Sequence, residues 1–236
     1  MNIIVTGASR GIGYETVKVL AANPGCRIIA LSRNDRALKQ LKQECEKINP
    51  DSVHILAADL STVDTKGYLL PQIQKQFSSI DVIIHAAGTL VNKPVQQITD
   101  TDLEYIYKVN VFSLFKLVRD LVPLLTKATS GAHVVTIGSM GGVGGTIKFS
   151  GLSAYSSSKG ALGILTECLA EELKEFNISV NCLALGAVQT EMLQEAFPGF
   201  QAPVSAAQMA LYVAEFALTA RSFFNGRIIP VSAGNP

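Results

Sequence analysis

The sequence predicts an α/β fold in which helices cover both faces of a doubly wound, seven-stranded parallel sheet. Seven short apolar runs alternate with segments of helical periodicity along the chain. No linker, low-complexity tract or repeat interrupts the alternation, so residues 1–236 are expected to form a single domain. A composition of 48% apolar and 17% charged residues provides enough apolar surface for a large buried core.

The first strand is predicted over residues 2–6, a β-branched run bounded by Gly7. The other strands are expected at 26–32, 52–60, 81–85, 132–138, 178–185 and 226–231. Apolar residues at helical spacing predict helices over 12–21, 34–48, 62–77, 99–127, 153–176 and 205–219.

Asn110 lies in the middle of the 99–127 segment. Because asparagine is a poor interior helix residue, it indicates a local kink, a functional carbonyl or simply a packed polar side chain.

Charge and cysteine content exclude several classes of function. The net charge is +1 with scattered Lys and Arg, which gives no electrostatic case for nucleic acid or an anionic membrane as partner. The four cysteines, Cys26, Cys45, Cys168 and Cys182, form no Cys-x-x-Cys pair, so neither a disulfide framework nor a metal site is predicted. No leader pattern and no apolar run of about 20 residues is present. A cytoplasmic protein is therefore expected.

A glycine-rich loop joins the first strand to the first helix. Gly7, Gly11 and Gly13 lie in TGASRGIG, where a pyrophosphate can approach helix N-terminal amides without interference from Cβ atoms. The simpler interpretation is a turn that only packs the helix on the strand. The strand before the loop and the helix after it favour dinucleotide binding, and so a Rossmann-type sheet.

The end of the second strand indicates which dinucleotide is bound. An NAD site usually has an acid about 20 residues beyond the glycines, but Ser32 and Arg33 occupy that region here. Together with Arg10 in the glycine loop, two cations suit a 2′-phosphate, so NADP(H) is favoured over NAD(H). Alternatively, Arg33 is a solvated residue that opens the next helix. Asp35 lies two positions too late to be the expected acid.

Tyr155 and Lys159 are four residues apart at the start of a predicted helix, so phenol and ammonium share one helix face. An ammonium beside a phenol favours the phenolate and lowers the tyrosine pKa from about 10. Such a pair could give or take a proton near neutral pH. The spacing often occurs by chance, so its meaning depends on what the fold brings beside it.

Several loops that follow strands carry the other candidate residues. Ligands of doubly wound sheets bind beyond the carboxyl ends of the strands, so these residues are expected to meet in one site. Small residues at 86–88 would let the backbone approach a flat ligand, or would form only a tight turn. The converging positions are Gly7–Gly13, Asp59, Gly88, Ser139 and Gly186.

In this order, the motifs resemble those of the short-chain dehydrogenase/reductase family over essentially the whole chain. TGASRGIG at 6–13 resembles the family's cofactor loop, and Asp59 resembles its adenine-contacting aspartate. Ala86-Ala87-Gly88 resembles most of its Asn-Asn-Ala-Gly turn, with His85 in place of the first polar residue. Asn110, Ser139, Tyr155 and Lys159 match the four catalytic positions.

The resemblance implies a role for each of these residues. Tyr155 donates a proton to a carbonyl oxygen as hydride arrives from the nicotinamide, and Ser139 hydrogen-bonds and orients that oxygen. Lys159 lowers the pKa of Tyr155 and bonds the nicotinamide ribose. The main chain at Asn110 holds a water that leads a proton relay to Lys159. The positions implied to bind the cofactor are Gly7, Ser9, Arg10, Gly11, Ile12, Gly13, Ser32, Arg33, Asp59, Leu60, Ala86, Ala87, Gly88, Tyr155, Lys159, Gly186, Val188 and Thr190.

Three further features depart from the family pattern. The 16 residues from Ser139 to Tyr155 exceed the usual separation, which indicates an insertion within 141–151. Moving the serine role to position 142 meets a glycine, which has no hydroxyl. Leu185-Gly186 replaces a Pro-Gly turn. The substrate loop at about 187–204 is short, which indicates an open site for a small or protruding substrate. The 141–151 loop is expected to be mobile without ligand and to influence which substrate fits.

The predicted function is an NADP(H)-dependent oxidoreductase acting on a carbonyl or secondary alcohol substrate. The alternative is a non-catalytic NADP-binding redox sensor or regulator on the same fold, although a pure binder has no need of all four catalytic residues.

A homodimer or homotetramer is also expected, because the 155–176 helix carries a second apolar row at Ala161, Ile164 and Cys168. The alternative for that row is a wide core-facing stripe.

Overall fold

A seven-stranded parallel sheet forms the centre of the protein, in a computed structural model that describes residues 1–233. The strands in chain order are β1 (Asn2–Thr6), β2 (Arg27–Ser32), β3 (Val53–Ala57), β4 (Val82–His85), β5 (Ala132–Ser139), β6 (Ile178–Leu185), β7 (Val188–Gln189), β8 (Val204–Ser205) and β9 (Ile228–Val231). The main sheet has the order β3-β2-β1-β4-β5-β6-β9. Strands β2 and β3 are added on one side of β1, and β4 and the later strands are added on its other side. This change in the order of the strands between β1 and β4 opens a crevice at their carboxyl ends.

Helices cover both faces of this sheet. They are α1 (Gly11–Ala21), α2 (Asp35–Glu46), α3 (Leu70–Gln74), α4 (Asp100–Tyr107), α5 (Ser113–Leu125), α6 (Ser153–Leu173), α7 (Glu191–Ala196) and α8 (Ala206–Thr219). Helices α1, α2 and α8 pack on one face, and α3, α5 and α6 pack on the other. Alternation along the strands supplies both cores, since Ile3 and Val5 of β1 belong to the first and Ile4 belongs to the second. The predicted fold class is confirmed.

Two predicted elements are shorter than expected. The strand predicted over 52–60 ends at Ala57, so Asp59 and Leu60 lie in the loop beyond it. The helix predicted over 62–77 is a π-helical turn, Thr65–Leu69, followed by the single helical turn α3. The Asp64 side chain accepts a hydrogen bond from the Gly67 amide at 2.9 Å, and this contact caps the π-helical turn.

The long segment predicted over 99–127 is interrupted at the expected place. A capping box of Thr99 and Asp102 starts α4, and the π-helical turn Lys108–Phe112 separates α4 from α5. Asn110 is at the centre of that turn and is completely buried. The local irregularity predicted from Asn110 is therefore confirmed, and π-helical turns of this kind are common at functional sites.

The segment after β6 forms a small structure of its own. Strands β7 and β8 pair with each other, and the short helix α7 lies between them in the chain. Thr190 caps α7 by accepting a hydrogen bond from the Leu193 amide at 3.3 Å. Across the part of the chain that the structure describes, no helix has the length and apolar content needed to cross a membrane.

Candidate active site

A cleft of about 610 Å³ lies at the carboxyl ends of the strands, over the β1–β4 reversal. It is lined by the glycine loop, by the loops after β2, β3 and β4, by the end of β5, and by the segment after β6. Of the sequence-predicted site residues, Asn110 lies behind the cleft wall and all the others line it. The topology therefore brings together positions as far apart in the chain as Gly7 and Thr190.

The glycine loop packs the first helix tightly on the strand and also leaves the start of that helix uncapped. A Cβ at Gly7 would lie 2.7 Å from the Ala86 main chain, and one at Gly13 would lie 2.5 Å from the Gly7 carbonyl oxygen, so both glycines are needed for close packing. Helix α1 nevertheless begins at this loop with no side-chain cap at Arg10 and no acid in its first turn. Its free amides and positive dipole end are therefore available to an anionic ligand.

Two arginines lie at the outer end of the cleft. Arg33 is exposed, donates a hydrogen bond to the Tyr105 hydroxyl, and has its Nη1 3.7 Å from Asp59 Oδ2. Arg10 pairs with Glu195 of α7. Asp59 also accepts hydrogen bonds from the Ser61 amide at 2.9 Å and from its hydroxyl at 2.7 Å, which fix the loop after β3.

Asp35, the nearest candidate for the acid of an NAD site, is not part of the cleft lining. It lies in the first turn of α2, where its carboxylate is 2.6 Å from Lys39 Nζ. Ser32 lies at the end of β2, inside the cleft, and its hydroxyl accepts a hydrogen bond from the Asn34 amide at 3.3 Å. Ser32 and Arg33 thus both line the cleft, whereas Asp35 does not, and their part in cofactor binding stays a prediction.

Ser139, Tyr155 and Lys159 meet at the inner end of the cleft. Ser139 is the last residue of β5, and Tyr155 and Lys159 lie one turn apart in α6. Lys159 Nζ is 5.8 Å from the centre of the Tyr155 ring and donates a hydrogen bond to the Ile137 carbonyl at 2.8 Å. The Ser139 hydroxyl accepts a hydrogen bond from the Gly141 amide at 3.2 Å. The Ser139 and Tyr155 side chains can therefore act on one polar group of a ligand, with the Lys159 ammonium beside the Tyr155 ring.

Burial controls the protonation of this pair. It raises the pKa of Tyr155 above its usual value, against the lowering effect of the Ser139 side chain, and it lowers the pKa of Lys159 to about 8. The lowered tyrosine pKa expected from the sequence is not what this structure shows, because burial outweighs the effect of nearby groups and Lys159 is directed to the Ile137 carbonyl. Tyr155 is therefore protonated at neutral pH and able to donate.

The Asn110 side chain is fully used in holding the site together. Its Oδ1 accepts from the Thr89 amide at 2.8 Å, and its Nδ2 donates to the Thr89 carbonyl at 3.0 Å and to Ser158 Oγ at 2.9 Å. A Cβ at Gly88 would lie 3.4 Å from Lys159 Nζ and 3.6 Å from Asn110 Oδ1. Asn110 thus joins the loop after β4 to α6 next to Lys159, which leaves only its main chain for any part in a proton relay.

Residues 1–200 of this chain match the short chain dehydrogenases in a comparison with protein families. The chain belongs to the short-chain dehydrogenase/reductase family. It is accordingly an oxidoreductase with the family's Rossmann-type fold.

Individual relatives of this family member are distant in sequence. The chain is 32% identical to a tropinone reductase homolog of Arabidopsis thaliana, over 98% of this chain and 90% of that protein. It is 29% identical to the fatty acyl-CoA reductase of Acinetobacter baylyi over 80% of this chain, where it spans 63% of the relative's length, less than two thirds. A short chain dehydrogenase from Shigella flexneri, solved in complex with NADP, is 28% identical with a TM-score of 0.87, covering 97% of this chain and 95% of that one.

The 141–151 loop, which the sequence indicated as an insertion, is packed against α6 at Gly142. A Cβ at Gly142 would lie 2.6 Å from the Lys159 main-chain carbon, so only glycine fits at the position to which the serine role might have been shifted. Inside the loop, Thr146 Oγ1 donates to the Met140 carbonyl at 2.6 Å, and Lys148 Nζ donates to Thr146 Oγ1 at 2.7 Å. The loop also lines the cleft, so it is not remote from Tyr155. Its mobility without ligand stays a prediction.

The Leu185-Gly186 turn, another departure from the family pattern, still fits the site. The Gly186 amide donates to the Val231 carbonyl at 2.8 Å, and a Cβ there would lie 2.5 Å from Ser232 Oγ. Thr190 follows and lies against the glycine loop, with its Cγ2 3.3 Å from where a Gly11 Cβ would be. The turn thus brings Thr190 to the glycine-loop side of the cleft without the usual proline.

His85, the remaining departure, is completely buried and bridges two parts of the site. Ser113 Oγ donates to the Val109 carbonyl at 2.6 Å, so it accepts from His85 Nε2 at 3.1 Å. His85 Nδ1 is then the acceptor for Thr6 Oγ1 at 3.0 Å, and Thr6 Oγ1 accepts from the Ala87 amide at 3.1 Å. This chain of hydrogen bonds connects the turn after β4 to the π-helical turn that carries Asn110.

Sequence reasoning identified the loops of the substrate side but none of their individual side chains. Phe149 of the insertion and Phe197 after α7 both line the cleft, and their ring centres are 6.4 Å apart. The available signal was the run Ile147-Lys148-Phe149, which places large apolar residues inside an otherwise glycine-rich loop. Such residues are unusual in an exposed turn and indicate a contact with something else.

Proposed function

We propose that this family member is an NADP(H)-dependent oxidoreductase that transfers hydride between the nicotinamide and a carbonyl or secondary alcohol. The observation that supports this most directly is the meeting of Ser139, Tyr155 and Lys159 in the same cleft as the glycine loop. A dinucleotide that lies along the loop, with its nicotinamide toward Tyr155, would have its reactive ring beside a proton donor. Residues 1–236 would serve as one dinucleotide-binding oxidoreductase domain, with 187–204 as its substrate loop.

The nicotinamide supplies the hydride when NADPH is bound, and the side chains supply the proton. As hydride reaches the carbonyl carbon, the C=O π electrons move to the oxygen, which takes the proton of the Tyr155 hydroxyl. Ser139 donates a hydrogen bond to the same oxygen and stabilises its developing negative charge. Lys159, whose pKa is about 8, can then return a proton to Tyr155 from solvent near neutral pH.

The residues of the outer cleft fit a cofactor with a 2′-phosphate. The uncapped N-terminus of α1 suits the pyrophosphate, and Arg10 and Arg33 suit a further phosphate on the ribose. Both arginines already face carboxylates, Glu195 and Asp59, so a phosphate must compete with exposed ion pairs that contribute little energy. The NADP of the solved Shigella relative supports the same choice for this chain.

The experiment that tests the function measures NADPH oxidation with a panel of ketones and aldehydes. Tyr155→Phe removes the proton donor and leaves the ring, so it is expected to lower kcat by at least about 100-fold while NADPH binding changes little. Retention of most of the activity would show that the mechanism is wrong. A protein that binds NADPH but reduces no carbonyl would instead support the alternative of a non-catalytic redox sensor.

We also propose that the protein acts as a homodimer or homotetramer in the cytoplasm. In α6, Leu162, Leu169 and Leu173 face the core, whereas Ile164 is 60% exposed, so the second apolar row is not part of a core-facing stripe. Phe112 and Phe115, near the start of α5, are each 48% exposed. Exposed apolar side chains on two helices suit an isologous contact between copies of the chain. Light scattering that gave a monomer at micromolar concentration would contradict the assembly.

A further inference from the structure

The cleft continues beyond Tyr155 into a region that has not been assigned a ligand. Its walls are the 141–151 insertion, the segment around α7, and the loop after β4. The side chains there that matter most are apolar: Leu90, Ile147, Phe149, Leu152, Phe197 and Phe200. This substrate end is therefore distinct in chemistry from the outer end, where Arg10, Arg33 and Asp59 lie.

The charged side chains among the described lining residues are all engaged elsewhere. Arg10, Arg33 and Asp59 belong to the outer end of the cleft, and Glu191 lies against the glycine loop, with Oε2 3.5 Å from where a Gly11 Cβ would be. Lys159 is buried and directed to the Ile137 carbonyl. A carboxylate or phosphate buried at the substrate end would thus lose its water without gaining a partner among these lining residues, which is unfavourable.

An aromatic bridge, formed by Phe149 and Phe197, crosses the mouth of this region. The two rings meet edge to face at 6.4 Å and 64°, and they join the insertion to the segment after α7. Phe149 is nevertheless 60% exposed, and its neighbour Ile147 is 61% exposed. Large apolar side chains that remain exposed at the mouth of a cleft gain stability when an apolar ligand covers them.

The loops on either side of the bridge are tied to each other, so the bridge has a defined place. Asn92 Nδ2 donates to the Ala196 carbonyl at 2.8 Å, and the Lys93 amide donates to the Gly151 carbonyl at 3.0 Å. Gly151 has φ +83°, and a Cβ there would lie 2.1 Å from Asn92 Oδ1. The loop after β4 therefore contacts both the end of the insertion and the end of α7 beside the substrate end.

We infer that the substrate is an uncharged aryl ketone whose ring packs against Phe149 and Phe197, and that these two residues determine specificity. The inference rests on the proposed carbonyl reduction and names its substrate class. The carbonyl reaches Ser139 and Tyr155 while the aryl group lies in the apolar region, where edge-to-face contacts with both rings are available. A small aliphatic ketone would reach the same catalytic residues without those contacts.

Three related ketones test the inference with NADPH as reductant. Ethyl benzoylformate carries an aryl group and no charge, benzoylformate carries the same ring beside a carboxylate, and ethyl pyruvate has a methyl group in place of the ring. The expected kcat/KM for ethyl benzoylformate exceeds that for benzoylformate by about 100-fold, from the cost of an unpaired charge. It exceeds that for ethyl pyruvate by about 10-fold, from the lost aromatic contacts.

Variants locate the effect at the bridge. Phe149→Ala and Phe197→Ala are each expected to lower kcat/KM for ethyl benzoylformate by about 10-fold, with ethyl pyruvate and the Kd for NADPH changed less than about 2-fold. Phe176→Ala removes another phenylalanine that is 53% exposed and lies outside the cleft, so it should leave all three ketones unaffected. Circular dichroism of each variant checks that it is folded.

The outcomes separate the inference from the proposed function. Equal kcat/KM for ethyl benzoylformate and ethyl pyruvate, or equal losses in the Phe149 and Phe176 variants, overturns the inference and leaves carbonyl reduction standing. If none of the ketones is reduced, binding to the protein with NADP⁺ is measured by calorimetry. Tighter binding of ethyl benzoylformate than of ethyl pyruvate, lost in Phe149→Ala, then supports an apolar aryl site while the proposed reaction fails. Absence of that preference overturns both.

Discussion

Acidification from pH 7 to pH 5 should lower the free energy of unfolding of this protein, and His85 is the main reason. Its ring is fully buried between Thr6 and Ser113, and burial lowers its pKa to about 3, with a smaller contribution from the charge of Lys159. In the unfolded chain the same ring has a pKa of about 6.5. Because the unfolded state binds the proton first, the free energy of unfolding falls as the pH drops below 6.5.

The expected size follows from the difference between the two pKa values. A pH of 5 is about 1.5 units below the pKa of the unfolded histidine, which is then protonated, whereas the folded one is still neutral. His85 alone therefore lowers the free energy of unfolding by about 2 kcal/mol relative to pH 7. His133, which is also buried and has its pKa lowered to about 4, adds a similar amount. The wild-type protein should therefore lose about 4 kcal/mol between pH 7 and pH 5 from these two rings.

The assay is urea unfolding followed by circular dichroism at pH 7 and pH 5, at one fixed protein concentration. His85→Asn removes the titrating group, so its loss of stability on acidification should be smaller than that of the wild type by about 2 kcal/mol, whatever the substitution costs at pH 7. His54→Asn is the control, because His54 is only partly buried and should contribute less. An unchanged pH dependence in His85→Asn would refute the reasoning.

Two further predictions address the cofactor and the insertion. Arg33→Ala is expected to weaken NADPH binding by about 10-fold or more and NADH binding much less, since only NADPH offers a 2′-phosphate; fluorescence titration measures both, with the exposed Lys47→Ala as control, and equal weakening would contradict the assignment. Gly142→Ala is expected to destabilise the protein by about 1–3 kcal/mol and to lower kcat, because its Cβ would lie 2.6 Å from the Lys159 main chain. Gly144→Ala, with nothing within 4 Å of its Cβ, should leave thermal stability and activity nearly unchanged; similar effects of the two substitutions would show that the insertion is not packed as described.

The sequence by itself determined the fold class and the convergence of the residues that follow the strands. Alternating strands and helices specify a parallel sheet, and a parallel sheet places every strand-to-helix loop at one edge. That rule alone predicts that Gly7, Asp59, Ser139 and Gly186 converge, and each of them lines the cleft. The sequence also predicted the irregularity at Asn110, because a residue poorly suited to a helix interior coincides with a π-helical turn.

Only the tertiary structure decided the properties that depend on what surrounds a side chain. The spacing of Tyr155 and Lys159 shows that they are neighbours, but burial, which raises the first pKa and lowers the second, comes from elements distant in the chain. Likewise, no local pattern indicates that Phe149 would meet Phe197 across the cleft mouth, because their contact depends on the packing of two irregular loops. Periodicity constrains regular elements, whereas loop contacts and desolvation follow from the assembled molecule.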